Sequence, residues 1–119
     1  MDWQLDKSKP ISQQIFEQVC MGIVSGEFLP LEKLPSVRET AVAAGVNPNT
    51  VQHAYESLSQ SGIVYSQPGS GWYVAEDIEN AKNTIIKLRF EKTREYFTAM
   101  IKLGFSAEET KKLVEEWNT

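Results

Sequence analysis

The stretch LPSVRETAVAAGVNPNTVQHAYESLSQSGIVYSQPGSGWYV, residues 34–74, decides the fold of this chain. Near its start a serine, Ser36, is followed three residues later by a glutamate, Glu39. In a capping box of this spacing each side chain bonds the backbone N–H of the other residue, which satisfies two donors at the start of a helix. Glycine is common just past a helix end, so Gly45 marks the stop. The sequence therefore predicts a short helix over residues 36–44.

A second helix follows after a tight turn. Asn47 can cap it, and Pro48 suits its first position because the N–H that proline lacks would be unpaired there anyway. Its apolar face consists of residues at helical spacing: Val51, Ala54, Tyr55 and Leu58. The polar residues that then point outward are Asn49, Thr50, Gln52, His53 and Glu56. Two helices joined this closely predict a helix-turn-helix, whose second helix enters the major groove of DNA.

These outward residues have the chemistry of base and phosphate recognition. Asparagine and glutamine can pair with adenine through two hydrogen bonds, and threonine can contact a phosphate or a thymine methyl group. Any surface helix carries such residues, so only their place in a helix-turn-helix favours a DNA-binding role. His53 has no partners that would make it a general base, so a surface or phosphate-contacting role is the better interpretation.

After the second helix the pattern changes from helical to extended. The segments 63–67 and 72–75 are rich in β-branched and aromatic residues and are separated by turn residues, which predicts a β-hairpin. Residues 33–34 can add a brief edge strand. Glycines at the hairpin tip, residues 69–71, allow the backbone to approach a phosphate closely, although a plain turn explains them equally well.

The remaining residues predict a helical hairpin. Asp77 can cap a long helix with an apolar stripe, and Gly104 ends it. Ser106 and Glu109 then form a second capping box. A first helix of ~40 Å, at 1.5 Å per residue, is too long for a domain this small to cover. We expect it to pair with its copy in a homodimer, although it could instead fold back on its own domain. The expected interface residues are Ile85, Leu88, Tyr96, Phe97, Met100, Leu113 and Trp117.

Together these elements predict a mainly α protein with one small β-hairpin. A first helix over residues 10–25 precedes the helix-turn-helix, because apolar residues recur there at every fourth position. We expect a winged helix-turn-helix domain over residues 1–76, followed by a two-helix dimerisation tail over residues 77–119.

The charge distribution works against DNA binding. The chain carries 12 basic and 16 acidic residues, a net charge of −4. Residues 1–75 carry four basic against seven acidic residues, a net charge of −3, whereas contacts to phosphates normally produce a basic surface. Such a domain would rely on helix N-termini, backbone amides and hydroxyls, and would gain affinity by dimerising across two half-sites.

Length and composition exclude several protein classes. With 119 residues and 41% apolar content, the chain suits one small domain with an appendage. No apolar run reaches the ~18 residues that span a bilayer, and no secretory signal is evident, so we expect a cytoplasmic protein without a membrane partner. The single cysteine, Cys20, and the single histidine, His53, cannot form an internal disulfide or a metal cluster. We expect no metal, no cofactor and no catalytic residues.

Three runs of residues resemble those of GntR-family transcriptional regulators. They are Leu34-Pro35-Ser36-Val37-Arg38-Glu39, then Val46-Asn47-Pro48-Asn49-Thr50-Val51 with Ala54-Tyr55, and Gly69-Ser70-Gly71-Trp72-Tyr73-Val74. The Asn-Pro-Asn-Thr-Val form, with a short helical tail, is similar to the YtrA-type subfamily. The resemblance implies a homodimeric repressor that binds double-stranded DNA at a palindromic operator, often near a transporter operon.

The resemblance also implies which residues contact DNA. By position the family's contacts fall on Ser36, Arg38, Asn47, Asn49, Thr50, Gln52 and Gly69. The helix face and the hairpin tip add His53, Ser70 and Gly71 to this set. The chain departs from the family pattern at Pro48 and Gln52, where some members have arginine, at Leu31, where glycine is expected, and at Trp72-Tyr73. Most relatives carry a large further domain after the wing, for which this chain has no room.

Three functions remain open from the sequence. The first is a sequence-specific dimeric repressor. The second, suggested by the acidic residues 1–75, is a protein-interaction module that kept the fold and lost DNA binding. The third, with the least support, is an enzyme. The sequence names no small-molecule effector, and it leaves open whether Lys82 or Lys87 reaches DNA.

Overall fold

The computed structural model describes residues 1–117, which form five helices and one antiparallel β-hairpin. The elements in chain order are α1 (Ile11–Ser25), α2 (Val37–Ala44), α3 (Pro48–Gln60), β1 (Val64–Gln67), β2 (Gly71–Val74), α4 (Glu79–Lys102) and α5 (Ala107–Glu116). The predicted fold class is confirmed: a winged helix-turn-helix precedes a helical C-terminal part. The chain divides into two compact units, which we call the N-terminal unit (Met1–Ile85) and the tail unit (from Ile86 onward).

Helix α1 supplies one wall of the core of the N-terminal unit. It begins one residue later than predicted, because Pro10 has an extended backbone with ψ of 122° and occupies the N-cap position. A glutamine on α1 holds the segment before the helix: Gln18 Nε2 donates to the Gln4 carbonyl at 2.7 Å, and Gln18 Oε1 accepts from the Gln4 N–H at 3.0 Å. The buried stripe of α1 is Ile15, Val19, Cys20 and Ile23.

A short extended segment pairs with the free edge of the two-stranded hairpin. In the hairpin Val64 pairs with Val74 and Tyr65 pairs with Tyr73. On the free side of β2, Leu34 N–H donates to the Trp72 carbonyl at 2.8 Å, and Val74 N–H donates to the Glu32 carbonyl at 2.9 Å. These two bonds flank an isolated bridge between Lys33 and Tyr73, so the segment predicted as an edge strand at residues 33–34 pairs with β2 through one bridge and does not form a strand.

Leu31, just before this edge strand, has an unusual backbone. Its φ is +67°, a left-handed conformation that is costly for a residue with a Cβ atom. The family resemblance places a glycine here, and glycine adopts this conformation without strain. The surrounding bonds keep the turn closed, since the N–H of Leu31 donates to the Val74 carbonyl at 2.9 Å. The chain therefore keeps the turn geometry although it has lost the glycine.

The first turns of α4 belong to the N-terminal unit. Asp77 Oδ1 accepts a hydrogen bond from Glu79 N–H at 2.9 Å, as expected of a residue that caps this helix. Ala81 and Ile85 are both buried, and the N-terminal unit accordingly extends through Ile85. Because Ile85 is only 7% exposed, its place in the expected dimer interface is corrected: it is a core residue of its own chain.

The tail unit combines the rest of α4 with α5. Ser106 and Glu109 form the predicted second capping box, with bonds of 3.0 and 3.1 Å, and Thr110 in the next turn is buried. Many large apolar side chains of this unit are exposed: Ile86, Phe90, Tyr96, Ile101, Leu103, Phe105, Leu113, Val114 and Trp117. The other residues expected at the dimer interface, Leu88, Phe97 and Met100, are half-buried.

Candidate nucleic-acid interface

The start of α3 presents polar side chains on an accessible face. Asn47 is the N-cap, and its Oδ1 accepts a hydrogen bond from the Asn49 N–H at 2.8 Å. The predicted apolar face of α3 is confirmed, because Val51, Ala54, Tyr55 and Leu58 are all buried. On the other side Asn49, His53 and Glu56 are exposed, and Thr50 and Gln52 are half-buried. The structure thus brings the predicted recognition residues together at the amino end of one helix.

Two of these side chains already have partners within the chain. Gln52 Nε2 donates to Glu56 Oε1 at 2.8 Å. A glutamine amide offers both donors and an acceptor, so the Gln52 oxygen remains available to another molecule. His53 Nδ1 shares a hydrogen bond of 3.2 Å with the hydroxyl of Ser12 on α1. The side chain of His53 is therefore held beside the start of α1.

The start of α2 carries the second group of predicted residues. Ser36 and Glu39 form the predicted capping box, with both bonds between 2.9 and 3.0 Å. Hydrogen bonds from the backbone and side chain of Ser36 hold the pKa of the Glu39 carboxyl below its ordinary value. Arg38 is exposed, and no ion pair within residues 1–117 involves its guanidinium. This positive charge is accordingly free to meet an external anion.

A buried hydroxyl pair fixes α2 against α3. The Tyr55 hydroxyl donates to the Pro35 carbonyl at 2.8 Å and lies 2.9 Å from the hydroxyl of Thr40, which is also buried. Burial raises the pKa of the Tyr55 phenol above its ordinary value. Because Pro35 directly precedes the cap of α2, these bonds set the position of that helix start relative to α3. The sequence placed Tyr55 on the apolar face but did not predict this role for its hydroxyl.

The hairpin tip is built around two glycines in the left-handed half of backbone space. Gly69 has φ of +76° and Gly71 has φ of +139°. The turn is closed by a bond of 2.9 Å from the Ser70 N–H to the Gln67 carbonyl, and the Ser70 hydroxyl is hydrogen-bonded to the Tyr73 hydroxyl. One pair away from the turn, Trp72 meets the Tyr55 ring edge-on, with 5.9 Å between ring centres. This contact joins the wing to α3.

Three residues near these groups were not predicted. Lys7 Nζ donates to the Gly45 carbonyl at 2.9 Å, in the turn between α2 and α3. Ser12 lies beside His53, and Lys33 lies beside the wing. No periodic pattern connects residue 7 with residue 45, so only the fold reveals that cationic side chains lie around the interface.

The structure also shows the surroundings of the single cysteine. Cys20 is buried, and burial raises the pKa of its thiol to about 12, so the thiol stays protonated at neutral pH. Among the described residues no group of three or more histidine, cysteine, aspartate or glutamate side chains could hold a metal ion. Within residues 1–117, no helix is both long enough and apolar enough to cross a membrane.

Known proteins share this sequence pattern. Residues 11–74 match the family model described as bacterial regulatory proteins, gntR family. The chain is 41% identical over 109 residues to the uncharacterized HTH-type transcriptional regulator YhcF of Bacillus subtilis, an alignment that covers 92% of this chain and 90% of that protein. It is 38% identical over 94 residues to the HTH-type transcriptional repressor YtrA of the same species, covering 79% of this chain and 70% of that protein.

Solved structures share the fold. A GntR family transcriptional regulator from Listeria monocytogenes superposes with a TM-score of 0.83 at 34% identity, covering 96% of this chain and all of that one. AraR(DBD), crystallised in complex with operator ORX1, superposes with a TM-score of 0.55 at 32% identity, covering 60% of this chain and 87% of that one. The similarity therefore extends to a DNA-binding domain solved on its operator.

Proposed function

The chain belongs to the gntR family of bacterial regulatory proteins and is a DNA-binding transcriptional regulator; from this premise we propose that it is a homodimeric repressor of an inverted-repeat operator. One observation carries the proposal. The polar residues of α3 lie together at the amino end of the second helix of a rigidly packed helix-turn-helix, which is where this motif meets base edges.

Each predicted residue has a role that its chemistry supports. Base edges are contacted by Asn49 and by Gln52, through its free oxygen and remaining N–H. Phosphate or the adjacent base is contacted by Thr50 and His53. Asn47 keeps its oxygen for the cap and offers its amide N–H groups to a phosphate. The start of α2 and the wing hold the DNA backbone through Ser36, Arg38, Gly69, Ser70 and Gly71. Phosphate contacts set the register, and α3 supplies the specificity.

Dimerisation is proposed for the tail unit. Its apolar side chains are exposed within one chain, and a second copy with the same surface would cover them through a two-fold interface. Two linked N-terminal units can bind two half-sites at once, which raises the overall affinity for DNA. An acidic N-terminal unit needs this gain in affinity. The DNA-reading domain and the dimerisation tail are therefore two halves of one proposal, and the boundary between them lies within α4.

The direction of regulation follows from relatives. Two matched proteins, YtrA and NagR of Bacillus subtilis, are named as repressors. We extend that role to this chain, with its own operon, including any transporter gene there, as the first target. A bound dimer blocks transcription simply by occupying its operator, so the proposal requires no catalytic activity and no cofactor.

Selection of duplexes from a random pool with the full chain tests this proposal. We expect the recovered sequences to contain an inverted repeat with half-sites about one helical turn apart, or a multiple of it. A reporter joined to the region upstream of the chain's own gene should fall in activity when the protein is present. Failure to enrich any sequence over the starting pool would contradict sequence-specific binding, and a rise in reporter activity would contradict repression.

Two variants distinguish base recognition from contact with the DNA backbone. Arg38→Ala should weaken binding to the selected duplex and to random duplex by the same factor, because a phosphate contact carries no sequence information. Asn49→Ala should instead relax the preference at one base position, by about 1–3 kcal/mol. Asn83→Ala, on the exposed side of α4, is the matched control for an amide side chain. Equal effects of Asn49→Ala on both duplexes would remove Asn49 from the recognition set.

A further inference from the structure

The outer face of the wing carries a row of three side chains that none of the roles above uses. Lys33 pairs with Tyr73 across the edge strand, and Tyr73 pairs with Tyr65 across the hairpin. Residues directly opposite one another in antiparallel strands lie on the same face of the sheet. We call Lys33, Tyr73 and Tyr65 the wing row. The opposite face of the same strands carries buried residues, among them Leu34 and Val74.

The members of the wing row support one another. The rings of Tyr65 and Tyr73 are stacked, with 5.6 Å between their centres and 20° between their planes. The Tyr73 hydroxyl is hydrogen-bonded to that of Ser70 at the tip. When two hydroxyls bond one another, one hydrogen remains free to be donated outward. A donor is therefore held at the tip end of the row.

The Lys33 side chain extends along the same face toward the tip. A Cβ atom placed on Gly71 would lie 3.0 Å from Lys33 Cε and 3.8 Å from its Nζ. A larger residue here would force the lysine chain to shift by a few tenths of an ångström, and the φ of +139° at Gly71 independently favours glycine. Lys33 is exposed, and it takes part in none of the ion pairs found within residues 1–117. The ammonium group therefore lies close to Gly71, the residue that follows Ser70 at the wing tip.

We propose that the wing row binds one phosphate of the DNA backbone, with the Lys33 ammonium supplying the charge and the Ser70–Tyr73 hydroxyl pair supplying a hydrogen bond. The inference rests on the proposed DNA-reading role and adds Lys33 and Tyr73 to its contacts. It also places one of the few cations of an acidic unit beside a wing tip already proposed to touch DNA. The stacked Tyr65 ring stiffens the row so that the donor and the charge stay together.

The salt dependence of binding tests the charge. The probe is the highest-affinity 30-base-pair duplex selected from a random pool by the unmodified chain. Lys33→Met keeps the aliphatic stem over Gly71 and removes the ammonium group; the slope of log Kobs against log salt concentration should become shallower by about 0.9 for each bound chain. Lys111→Met, in the tail unit, is the matched control, because it changes the net charge equally and should leave the slope unchanged. A slope that Lys33→Met does not alter would overturn the proposal.

The hydroxyl is tested separately. The double variant Ser70→Ala with Tyr73→Phe keeps the stacked ring and removes both hydroxyls of the pair, so it should weaken binding severalfold while the salt slope stays that of the unmodified chain. Lysine methylation read by mass spectrometry adds a measurement on the unmodified protein: DNA should protect Lys33 and leave Lys111 reactive. Equal reactivity of Lys33 with and without DNA would contradict the contact even if a variant were misfolded.

The two proposals fail in different ways. If the unmodified chain selects no duplex, the proposed DNA-reading function falls, and the wing row falls with it. If it selects an inverted repeat and responds to Asn49→Ala but not to Lys33→Met, the function stands and only the phosphate contact is wrong.

Discussion

Two capping boxes with the same chemistry open helices that meet very different surroundings. Ser36 and Glu39 start α2, and Ser106 and Glu109 start α5, with nearly the same bond lengths. Yet α2 packs Thr40 into a closed hydroxyl network, whereas α5 leaves Leu113 exposed. A helix start is thus a local property, but what covers the helix is not.

The comparison also separates the two units of the chain. The N-terminal unit satisfies its buried polar groups internally, since no buried side-chain nitrogen or oxygen of the described chain lacks a partner. Within residues 86–117 of the tail unit, Thr110 near the start of α5 is the one buried residue, and most of the large apolar side chains are exposed. We infer that the first unit is complete in one chain and that the second is complete only with a partner.

Breaking the tail surface should produce the largest effect. Leu113→Glu places a charge on the exposed apolar face of α5 and should convert a dimer to a monomer. Loss of the second copy's N-terminal unit should weaken binding to an inverted repeat by about 10²- to 10⁴-fold. Sedimentation equilibrium and fluorescence polarisation measure the two changes. Leu29→Glu, in the N-terminal unit, adds the same charge at another exposed leucine and should do neither. If the unmodified chain is itself monomeric, the contrast between a self-contained N-terminal unit and a dimerising tail unit is wrong.

Breaking the hydroxyl network should affect the N-terminal unit next most strongly. Tyr55→Phe removes the donor to Pro35 and a partner of Thr40, and an unsatisfied buried polar group costs about 1–3 kcal/mol. Urea unfolding should show this loss of free energy, while the oligomeric state should not change. Tyr65→Phe removes an exposed hydroxyl and is the control. An equal cost for both variants would show that the network contributes nothing particular.

Relieving strain in the N-terminal unit should have a smaller effect of opposite sign. Leu31→Gly releases a left-handed residue and sacrifices little burial, because Leu31 is 52% exposed. The gain from relieved strain exceeds the extra backbone entropy of glycine, so we expect stabilisation by about 0.5–1 kcal/mol. Thermal and urea unfolding measure it. Leu29→Gly, where φ is not positive, should destabilise the unit. Destabilisation by Leu31→Gly would mean that the leucine contributes packing that outweighs its strain.

The smallest expected effect is a pH dependence of stability, which should be the same for the capping boxes of α2 and α5. The pKa of Glu39 and that of Glu109 are each lowered in the folded chain by hydrogen bonds from the capping serine. Their stabilisation is therefore present above the ordinary pKa of 4.5 and is lost as pH falls below it. Urea midpoints should decline from about pH 5 to pH 3. Glu39→Gln and Glu109→Gln keep the capping bond without the titration, so each should flatten the decline. Glu91→Gln is the control for surface charge.

Much of the interface could be predicted because its determinants are local. The caps at Ser36 and Asn47 join residues no more than three positions apart, and the buried face of α3 follows from helical spacing alone. The family motifs identified the same residues, and the segment before Ser36 predicted the extended backbone at residues 33–34, where Lys33 forms a bridge with Tyr73. The sequence showed that Leu31 stands where the family pattern has glycine. Only the backbone geometry showed that Leu31 adopts a left-handed conformation.

The sequence by itself determined the helix ends to within one or two residues, the order of the elements, and the polar residues at the start of α3, because each of these depends on neighbours within a few positions. Only the tertiary structure decided the hydroxyl network of Tyr55, the bond from Lys7 to the turn, and the pairing of Lys33 with the wing. It also moved Ile85 from the expected interface into the core. These contacts join residues far apart in the chain, 38 positions for Lys7 and Gly45 and 40 for Lys33 and Tyr73, and packing of whole helices and strands brings them together. The polar residues that we propose for DNA recognition could thus be predicted from the sequence, whereas the charged side chains around them were identified only from the fold.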